Sequence, residues 1–224
     1  MVDDDLLRRD VRLLGDMLGG VIRESEGQEA LDLVEEIRSL ARDRRAGQQA
    51  AETELDTRIA ALDDRQASIV ARAFSVFFDL VNIAEDRQRI RVLRDRERER
   101  DPAPLKESLA GGIADFRERG LSAEEVQGAL NRLAVELVFT AHPSEAKRRS
   151  IRSKLRRMRK SLEALDNSDL LPRERRRHEA AMHTELAILW QSEFLRPSRP
   201  SVLDEVDRGL SVMPRIWEAV PQVS

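Results

Sequence analysis

The chain has 224 residues, with 39 Lys and Arg against 42 Asp and Glu, and a formal net charge of −3. This length suits one large domain or two small ones, and the 41% hydrophobic content argues against wholesale disorder. The absence of cysteine excludes disulfide scaffolds, thiolate metal sites and cysteine nucleophiles, and fits a reducing, cytoplasmic compartment. The charged content of 36%, against about 25% in an average domain, indicates long solvated helices.

Charge is distributed unevenly along the chain. Residues 1–66 carry 17 acidic and 10 basic side chains, a net charge of −7, whereas residues 145–177 carry 13 basic and 5 acidic ones, a net charge of +8. The acidic N-terminus is unlike a signal peptide, and no run approaches the ~20 apolar residues of a membrane span. We therefore expect no membrane association. The near-neutral net charge of the whole chain also argues against a general nucleic-acid-binding protein.

Apolar residues at helical spacing predict four helices in the first half of the chain. The apolar positions, helix by helix, are Leu7, Val11, Leu14, Leu18, Val21 and Ile22; Leu31, Val34, Ile37, Leu40 and Ala41; Leu55, Ile59 and Leu62; and Ile69, Val70, Phe74, Phe77, Phe78 and Val81. The fourth helix is expected to run on to about Leu93. The Gly19-Gly20 pair and Gly27 weaken the first helix and are expected to help end it.

A stretch of alternating charges, residues 94–101, is followed by Pro102 and Pro104 and predicts a solvated linker. We accordingly expect a helical region over residues 1–94, a linker over 95–104 and a second region over 105–224. In that last region, a helix is expected from Leu105 to about Gly120. Another should begin at a capping box in which Ser122 and Glu125 satisfy each other's backbone amides.

One segment, residues 135–140, is short, rich in β-branched residues and followed by a loop. This pattern predicts a buried strand. A lone strand cannot satisfy its ladder hydrogen bonds, so this one requires partners that the chain does not obviously supply. Further helices are predicted from about Ser144 to Leu165, from Pro172 to about Arg196, and from Ser201.

The loop after the predicted strand is the strongest candidate for chemistry. His142 would follow the carboxyl end of the strand, where ligands bind in α/β sheets and barrels, and an imidazole there exchanges protons near neutral pH. The next helix start and the basic residues Lys147, Arg148, Arg149 and Arg152 suit an anion. A structural histidine beside a solvated basic face is the competing interpretation, and spacing alone leaves the two open.

Other candidate motifs are weaker or missing. His178 and His183, five residues apart, do not share a helix face, and no His-Glu-x-x-His pattern indicates a metal site. The sequence also lacks a Walker A loop, a Gly-x-Gly-x-x-Gly turn and a Gly-x-Ser-x-Gly elbow.

The segment over residues 138–149, Val-Phe-Thr-Ala-His-Pro-Ser-Glu-Ala-Lys-Arg-Arg, closely resembles the first active-site signature of the phosphoenolpyruvate carboxylase family. The family usually has Thr where this chain has Ser144, a change that keeps the hydroxyl. Further segments resemble the family in the same order: Arg12-Leu13-Leu14-Gly15 with Ile22-Arg23-Glu24, residues 80–85 with 89–91, residues 189–193 with 199–200 and 204–205, and residues 217–221.

This resemblance implies a carboxy-lyase that fixes carbon dioxide by forming oxaloacetate and phosphate from phosphoenolpyruvate and bicarbonate, which replenishes the tricarboxylic acid cycle. It implies His142 as the catalytic residue and Arg148 and Arg149 as candidate substrate-binding residues. It also implies Mg²⁺ or Mn²⁺, with no metal ligand expected in this chain, and a homotetramer in the whole family member. The resemblance is to bacterial-type members.

The family fold is a (β/α)₈ barrel of the TIM type among many helices, so we expect a mainly α chain that contributes N-terminal helices and the first strand of an incomplete barrel. The family's later motifs are absent, and the chain is expected to be an N-terminal portion without activity of its own. The alternative is a non-catalytic helical interaction module whose basic segment, residues 145–177, binds an acidic partner or nucleic acid. Against nucleic acid, residues 145–189 contain no aromatic side chain for base stacking.

Overall fold

The computed structural model describes residues 4–106, 108–134 and 149–192, together with the single positions 203, 206, 210, 213 and 214. The described helices are α1 (Asp4–Glu26), α2 (Gln28–Arg45), α3 (Gln49–Ala60), α4 (Asp64–Arg100), α5 (Leu109–Glu118), α6 (Ala123–Asn131), α7 (Arg149–Ala164) and α8 (Pro172–Trp190). The expectation of a mainly α chain is confirmed. The described residues form no strand, and the predicted strand over 135–140 lies outside them.

The chain divides into two compact units. The first comprises residues 1–90 and 149–194 and the second comprises residues 91–148 and 195–224. The first unit therefore joins α7 and α8 to the N-terminal helices, with α8 packed against both α1 and α7. This division cuts the chain differently from the regions 1–94, 95–104 and 105–224, whose status as domains stays a prediction.

The first unit has a continuous apolar core drawn from five helices. Its largest fully buried members are Leu14, Ile22, Leu80, Ile151, Met158, Leu162, Met182, Leu186, Leu189 and Trp190. A smaller cluster of Leu33, Ile37 and Leu55 joins α2 to α3, with Phe74 of α4 packed against it. The helical spacing of the apolar residues thus identifies most of the buried positions in this unit, but Ile59 and Phe78, which belong to the predicted apolar faces, are 50% and 57% exposed.

Helix α4 differs in length from its prediction, because it continues to Arg100 instead of ending near Leu93. Arg and Glu are good helix formers, and Arg98 pairs with Asp95 one turn earlier at 3.1 Å. The first six residues of the predicted linker are therefore the last turns of this helix.

Helix α4 is also long and apolar enough, by length and composition, to cross a membrane, contrary to the expectation that no run would qualify. The core helix of a globular protein passes the same test. In this structure Ile69, Val76 and Leu80 of α4 are buried in the core of the first unit, whereas Phe78 is 57% exposed.

Helix α1 ends at Gly27 and not at the Gly19-Gly20 pair. Gly27 has a φ of +95°, a left-handed conformation that favours glycine, whereas α1 continues without interruption through the pair. The space around Gly20 and Gly27 is open, since a Cβ at either position would meet nothing within 4 Å. The two positions therefore differ in backbone conformation but not in crowding.

Because of this difference, we expect substitution by alanine to change the free energy of unfolding in opposite directions at the two positions. Gly20→Ala should raise the free energy of unfolding by about 0.5–1 kcal/mol, because alanine is the better residue in a helix interior. Gly27→Ala should lower it by about 1 kcal/mol, because alanine is strained at positive φ. Chemical denaturation followed by circular dichroism measures both, and a shift of the same sign in both variants would contradict this account.

Candidate functional site

The sequence-predicted site residues fall at the edge of the described structure. His142 and Arg148 lie outside the described residues, and Arg149 is the first residue of α7, with its side chain outside them. The structure therefore describes the helix that follows the signature but not the arrangement of these three side chains. Their roles remain predictions.

Helix α7 is held firmly by its apolar face. Ile151, Met158 and Leu162 are fully buried in the core of the first unit, and Leu155 packs against the same cluster. Since Ile151 is buried only two residues after Arg149, the anchoring includes the first described turn of the helix. The described part of the helix is thus fixed to the core of the first unit.

Ion pairs hold α7 on both sides. Arg157 donates to Glu185 of α8, with Nη2 and Oε2 2.8 Å apart, and this hydrogen bond raises the pKa of Arg157. On the other side Arg159 donates to Asp86 of α4. These pairs connect α7 to its two neighbours, but exposed pairs of this kind add little stability.

A cluster of five charged residues, which we call the Arg87 cluster, joins α1 and α4 to the end of α7 and the turn after it. Its members are Arg9, Asp10, Arg87, Glu163 and Asp166. The side chain of Arg87 is 5% exposed, and it donates from Nε to Asp166 Oδ2 at 2.7 Å and from Nη1 to Glu163 Oε1 at 3.2 Å. Arg9 bridges Asp10 and Asp166 with Nη2, at 2.9 and 3.2 Å. The cluster satisfies a buried guanidinium with carboxylates, as a buried charge requires.

Trp190, the last residue of α8, is held from two sides. Its Nε1 donates to Glu26 Oε1 at 3.3 Å, which connects the ends of α8 and α1. Arg72 of α4 donates from Nη1 to the Trp190 carbonyl oxygen at 3.1 Å, and its guanidinium carbon lies 5.6 Å from the centroid of the indole ring. The C-terminal end of α8 is therefore fixed to the same core as α7.

The two remaining histidines, His178 and His183, both lie on α8. His183 Nε2 lies 3.6 Å from Glu24 Oε2, and the histidine side chain is 39% exposed. Within the described ranges, no group of three or more His, Cys, Asp or Glu side chains is arranged to bind a metal ion.

The basic segment over residues 145–177 exchanges ion pairs with neighbouring helices. Arg157 and Arg159 are paired with Glu185 and Asp86, which lie outside the segment. The acids of the Arg87 cluster that belong to the segment are likewise paired with arginines outside it. These pairs balance, so they leave the net charge of +8 unchanged, and the interpretation as a module for acidic partners or nucleic acid stays an alternative.

Sequence reasoning missed the Arg87 cluster and the contacts of Arg72. Each joins residues far apart in the chain, with 76 to 79 positions between Arg87 and its carboxylates and 118 between Arg72 and Trp190. One signal was available, because arginines inside an otherwise apolar helical pattern require partners. The pattern does not identify those partners.

Comparisons with known proteins extend over nearly the whole chain. The sequence model of the family described as "Phosphoenolpyruvate carboxylase" matches residues 7–224. The phosphoenolpyruvate carboxylase of Thermus thermophilus is 41% identical over 220 residues, which cover 97% of this chain and 24% of that protein. Those of Thermus sp. strain 71 and Ectopseudomonas mendocina are each 40% identical, over 98% of this chain and 24% and 25% of their own lengths. The chain thus spans about a quarter of the length of these curated relatives.

Proposed function

The chain belongs to the phosphoenolpyruvate carboxylase family, and we propose that it is the N-terminal portion of an enzyme that forms oxaloacetate and phosphate from phosphoenolpyruvate and bicarbonate. The observation that carries this proposal is the family match over residues 7–224, which includes the whole signature over residues 138–149. In the cell this enzyme would be cytoplasmic, homotetrameric and independent of membranes and nucleic acids.

In the proposed reaction a bicarbonate oxygen attacks the phosphorus of phosphoenolpyruvate. The bond between phosphorus and the enol oxygen breaks, which leaves carboxyphosphate and the enolate of pyruvate. Loss of the carboxyphosphate proton releases phosphate and CO₂, and the enolate carbon captures the CO₂. We assign the removal of this proton to His142, because an imidazole accepts a proton near neutral pH and, once charged, stabilises the phosphate.

Arg148 and Arg149 are proposed to shape the positive field around the phosphate. The helix predicted from about Ser144 would support this role, because the first amides of a helix and its positive dipole end favour an anion. The burial of Ile151 supports it as well, since it fixes the described part of that helix, α7, to the core of the first unit. The predicted strand over 135–140 is proposed as the first of the (β/α)₈ barrel.

The family's divalent metal, Mg²⁺ or Mn²⁺, would supply charge stabilisation for the enolate and the phosphoryl group when bound. The described residues of this chain do not provide a set of ligands for it. We therefore assign no step of the reaction to the metal here and expect its ligands in the remaining part of a family-length protein.

The chain alone is expected to lack carboxylase activity, since most of the barrier reduction in such reactions comes from charges that these 224 residues do not supply. The measurement is oxaloacetate formation by the purified chain with Mg²⁺, bicarbonate and phosphoenolpyruvate, coupled to an NADH-dependent reductase. A family-length protein that contains this sequence serves as the positive control. Turnover by the chain clearly above the enzyme-free blank would contradict the prediction.

A further inference from the structure

The second unit, residues 91–148 and 195–224, buries no hydrophobic residue among its described positions. Every buried hydrophobic residue within the described ranges belongs to the first unit. Several large apolar residues of the second unit are instead 38–77% exposed. The described part of this unit therefore has no apolar core of its own.

Helix α5 exposes an apolar face. Leu109, Ile113 and Phe116 follow one another at i, i+4 and i+7, so they share one side of the helix. Leu109 and Ile113 are 46% and 48% exposed, and none of the ten residues of the helix is buried. The amphipathic pattern of α5 is thus present without a packed neighbour.

Helix α6 repeats this arrangement. Val126, Leu130 and Leu133 have the same spacing, and the Leu133 amide donates to the Leu130 carbonyl oxygen at 3.0 Å, which continues the last turn. Leu130 and Leu133 are 38% and 60% exposed, and none of the nine residues of α6 is buried. The helix start is well formed, since Ser122 and Glu125 make a complete capping box. Its exposed face therefore does not result from a frayed helix.

A third apolar row lies later in the same unit. Leu203, Val206, Leu210 and Met213 are helical positions at i, i+3, i+7 and i+10, and they are 43–77% exposed. Three separate parts of the second unit thus present apolar side chains at helical spacing to the solvent.

These faces require a covering partner for a physical reason. Helices shorter than about 12–15 residues are marginal in water, and in proteins most of their stability comes from packing of the amphipathic face. With ten and nine residues, α5 and α6 fall below that length. We therefore expect both helices to be stable only when their apolar faces are covered.

The position of α6 in the chain indicates what covers it. Leu133 precedes the predicted strand over 135–140 by two residues, which span at most about 7 Å. A strand needs neighbouring strands for its ladder hydrogen bonds. The proposed barrel takes those strands from the part of a family-length protein that this chain, with about a quarter of the length of its relatives, does not span. The apolar face that ends at Leu133 would therefore lie beside that part.

We infer that the apolar faces of α5 and α6, with the row at residues 203–213, form the surface against which the remaining part of a family-length protein packs. The second unit then acquires its core only in the whole enzyme, whereas the first unit has a core of its own. The occupant belongs to the same chain and presents apolar side chains. This inference rests on the proposed function, because that function supplies the remaining part.

Thiol labelling compares this surface in the 224-residue chain and in a family-length protein that contains it. The sequence has no cysteine, so Ile113→Cys and Leu130→Cys each introduce one thiol into it. Ile59→Cys on α3 of the first unit, where Ile59 is 50% exposed, is the matched control. Mass spectrometry of the peptides that contain these positions measures each labelling rate.

In the 224-residue chain the three thiols should react at rates within about threefold of one another. In the family-length protein, labelling should slow by more than about 100-fold in Ile113→Cys and Leu130→Cys and by less than about threefold in the control. Unchanged labelling of the two α5 and α6 variants would overturn the inference, and so would equal slowing of the control.

Two further results would assign the surface to another occupant and overturn the inference. The first is labelling of the 224-residue chain that slows as its concentration rises, which would indicate a second copy. The second is protection in the family-length protein that is lost when its subunits dissociate on dilution, which would indicate a neighbouring subunit.

Oxaloacetate formation by the same family-length samples separates this inference from the proposed function. Protected thiols in an inactive protein would refute the proposed activity and support the inference. Freely labelled thiols in an active protein would support the activity and overturn the inference.

Ile113→Asp provides a second readout that does not depend on labelling. It should change the melting temperature of the 224-residue chain by less than about 2 °C, because an exposed position tolerates a carboxylate. In the family-length protein it should lower the melting temperature by about 4 °C or more, because the carboxylate would be buried without a partner. Shifts of the same size in the two proteins would overturn the inference.

Discussion

Replacing His142 with asparagine in a family-length protein that contains this sequence is expected to abolish most carboxylation, with kcat lowered by about 10²–10⁴-fold. Asparagine can donate and accept hydrogen bonds but cannot take up the carboxyphosphate proton near neutral pH. The measurement is oxaloacetate formation at saturating phosphoenolpyruvate, bicarbonate and Mg²⁺. Unchanged circular dichroism and an unchanged melting temperature would separate a chemical defect from a folding defect.

The matched controls are the two other histidines of the chain. His178→Asn and His183→Asn make the same chemical change on α8, where His183 lies against Glu24. Both should retain nearly normal turnover. Near-normal turnover in the His142 variant would contradict the assignment of this residue, whereas equal losses in all three variants would indicate a structural effect.

Replacing Arg87 with methionine is expected to lower the free energy of unfolding of the 224-residue chain by about 3 kcal/mol. The guanidinium is almost completely buried, and its loss leaves the carboxylates of Glu163 and Asp166 without this partner. Because those side chains are 49% and 20% exposed, water can solvate them in part, which places the loss at the lower end for a broken buried pair. Urea denaturation followed by circular dichroism provides the measurement.

Arg157→Met is the control for this prediction. It breaks the ion pair with both carboxylate oxygens of Glu185, but the Arg157 side chain is 54% exposed, so little change is expected. If the Arg87 and Arg157 variants lose the same stability, burial does not determine the contribution of these pairs and the account of the Arg87 cluster is wrong.

The helices of this chain could be predicted because their apolar residues recur with the period of a helix. The capping box of α6 is a local signal of the same kind and is present, and the hydrogen bond from the backbone N–H of Ser122 lowers the pKa of Glu125. The end of α1 was harder to predict, because a glycine in a sequence does not reveal its φ. Gly27 ends the helix at +95°, whereas Gly19 and Gly20 are ordinary helical residues.

The candidate site was predicted only as far as local sequence allows. The signature over residues 138–149 identifies the residue types, but the contacts that fix the neighbouring helices come from distant positions. Arg87 meets Asp166 across 79 positions of sequence, and Arg9 meets the same carboxylate across 157. No periodicity predicts such pairs, since they follow from how the helices pack.

The hydrogen bond between Trp190 and Glu26 has a consequence for biosynthesis, because it joins positions 164 residues apart. Helix α1 leaves the ribosome early, but α7 and α8, which complete its core, follow only after residues 91–148 have been made. At about 5–20 residues per second, roughly 10 s or longer passes between the synthesis of α1 and that of α8. During this time the leucines and isoleucines of the first helices lack the packing partners that α7 and α8 provide. Nascent chains of this protein should therefore engage holdase chaperones until translation has passed α8.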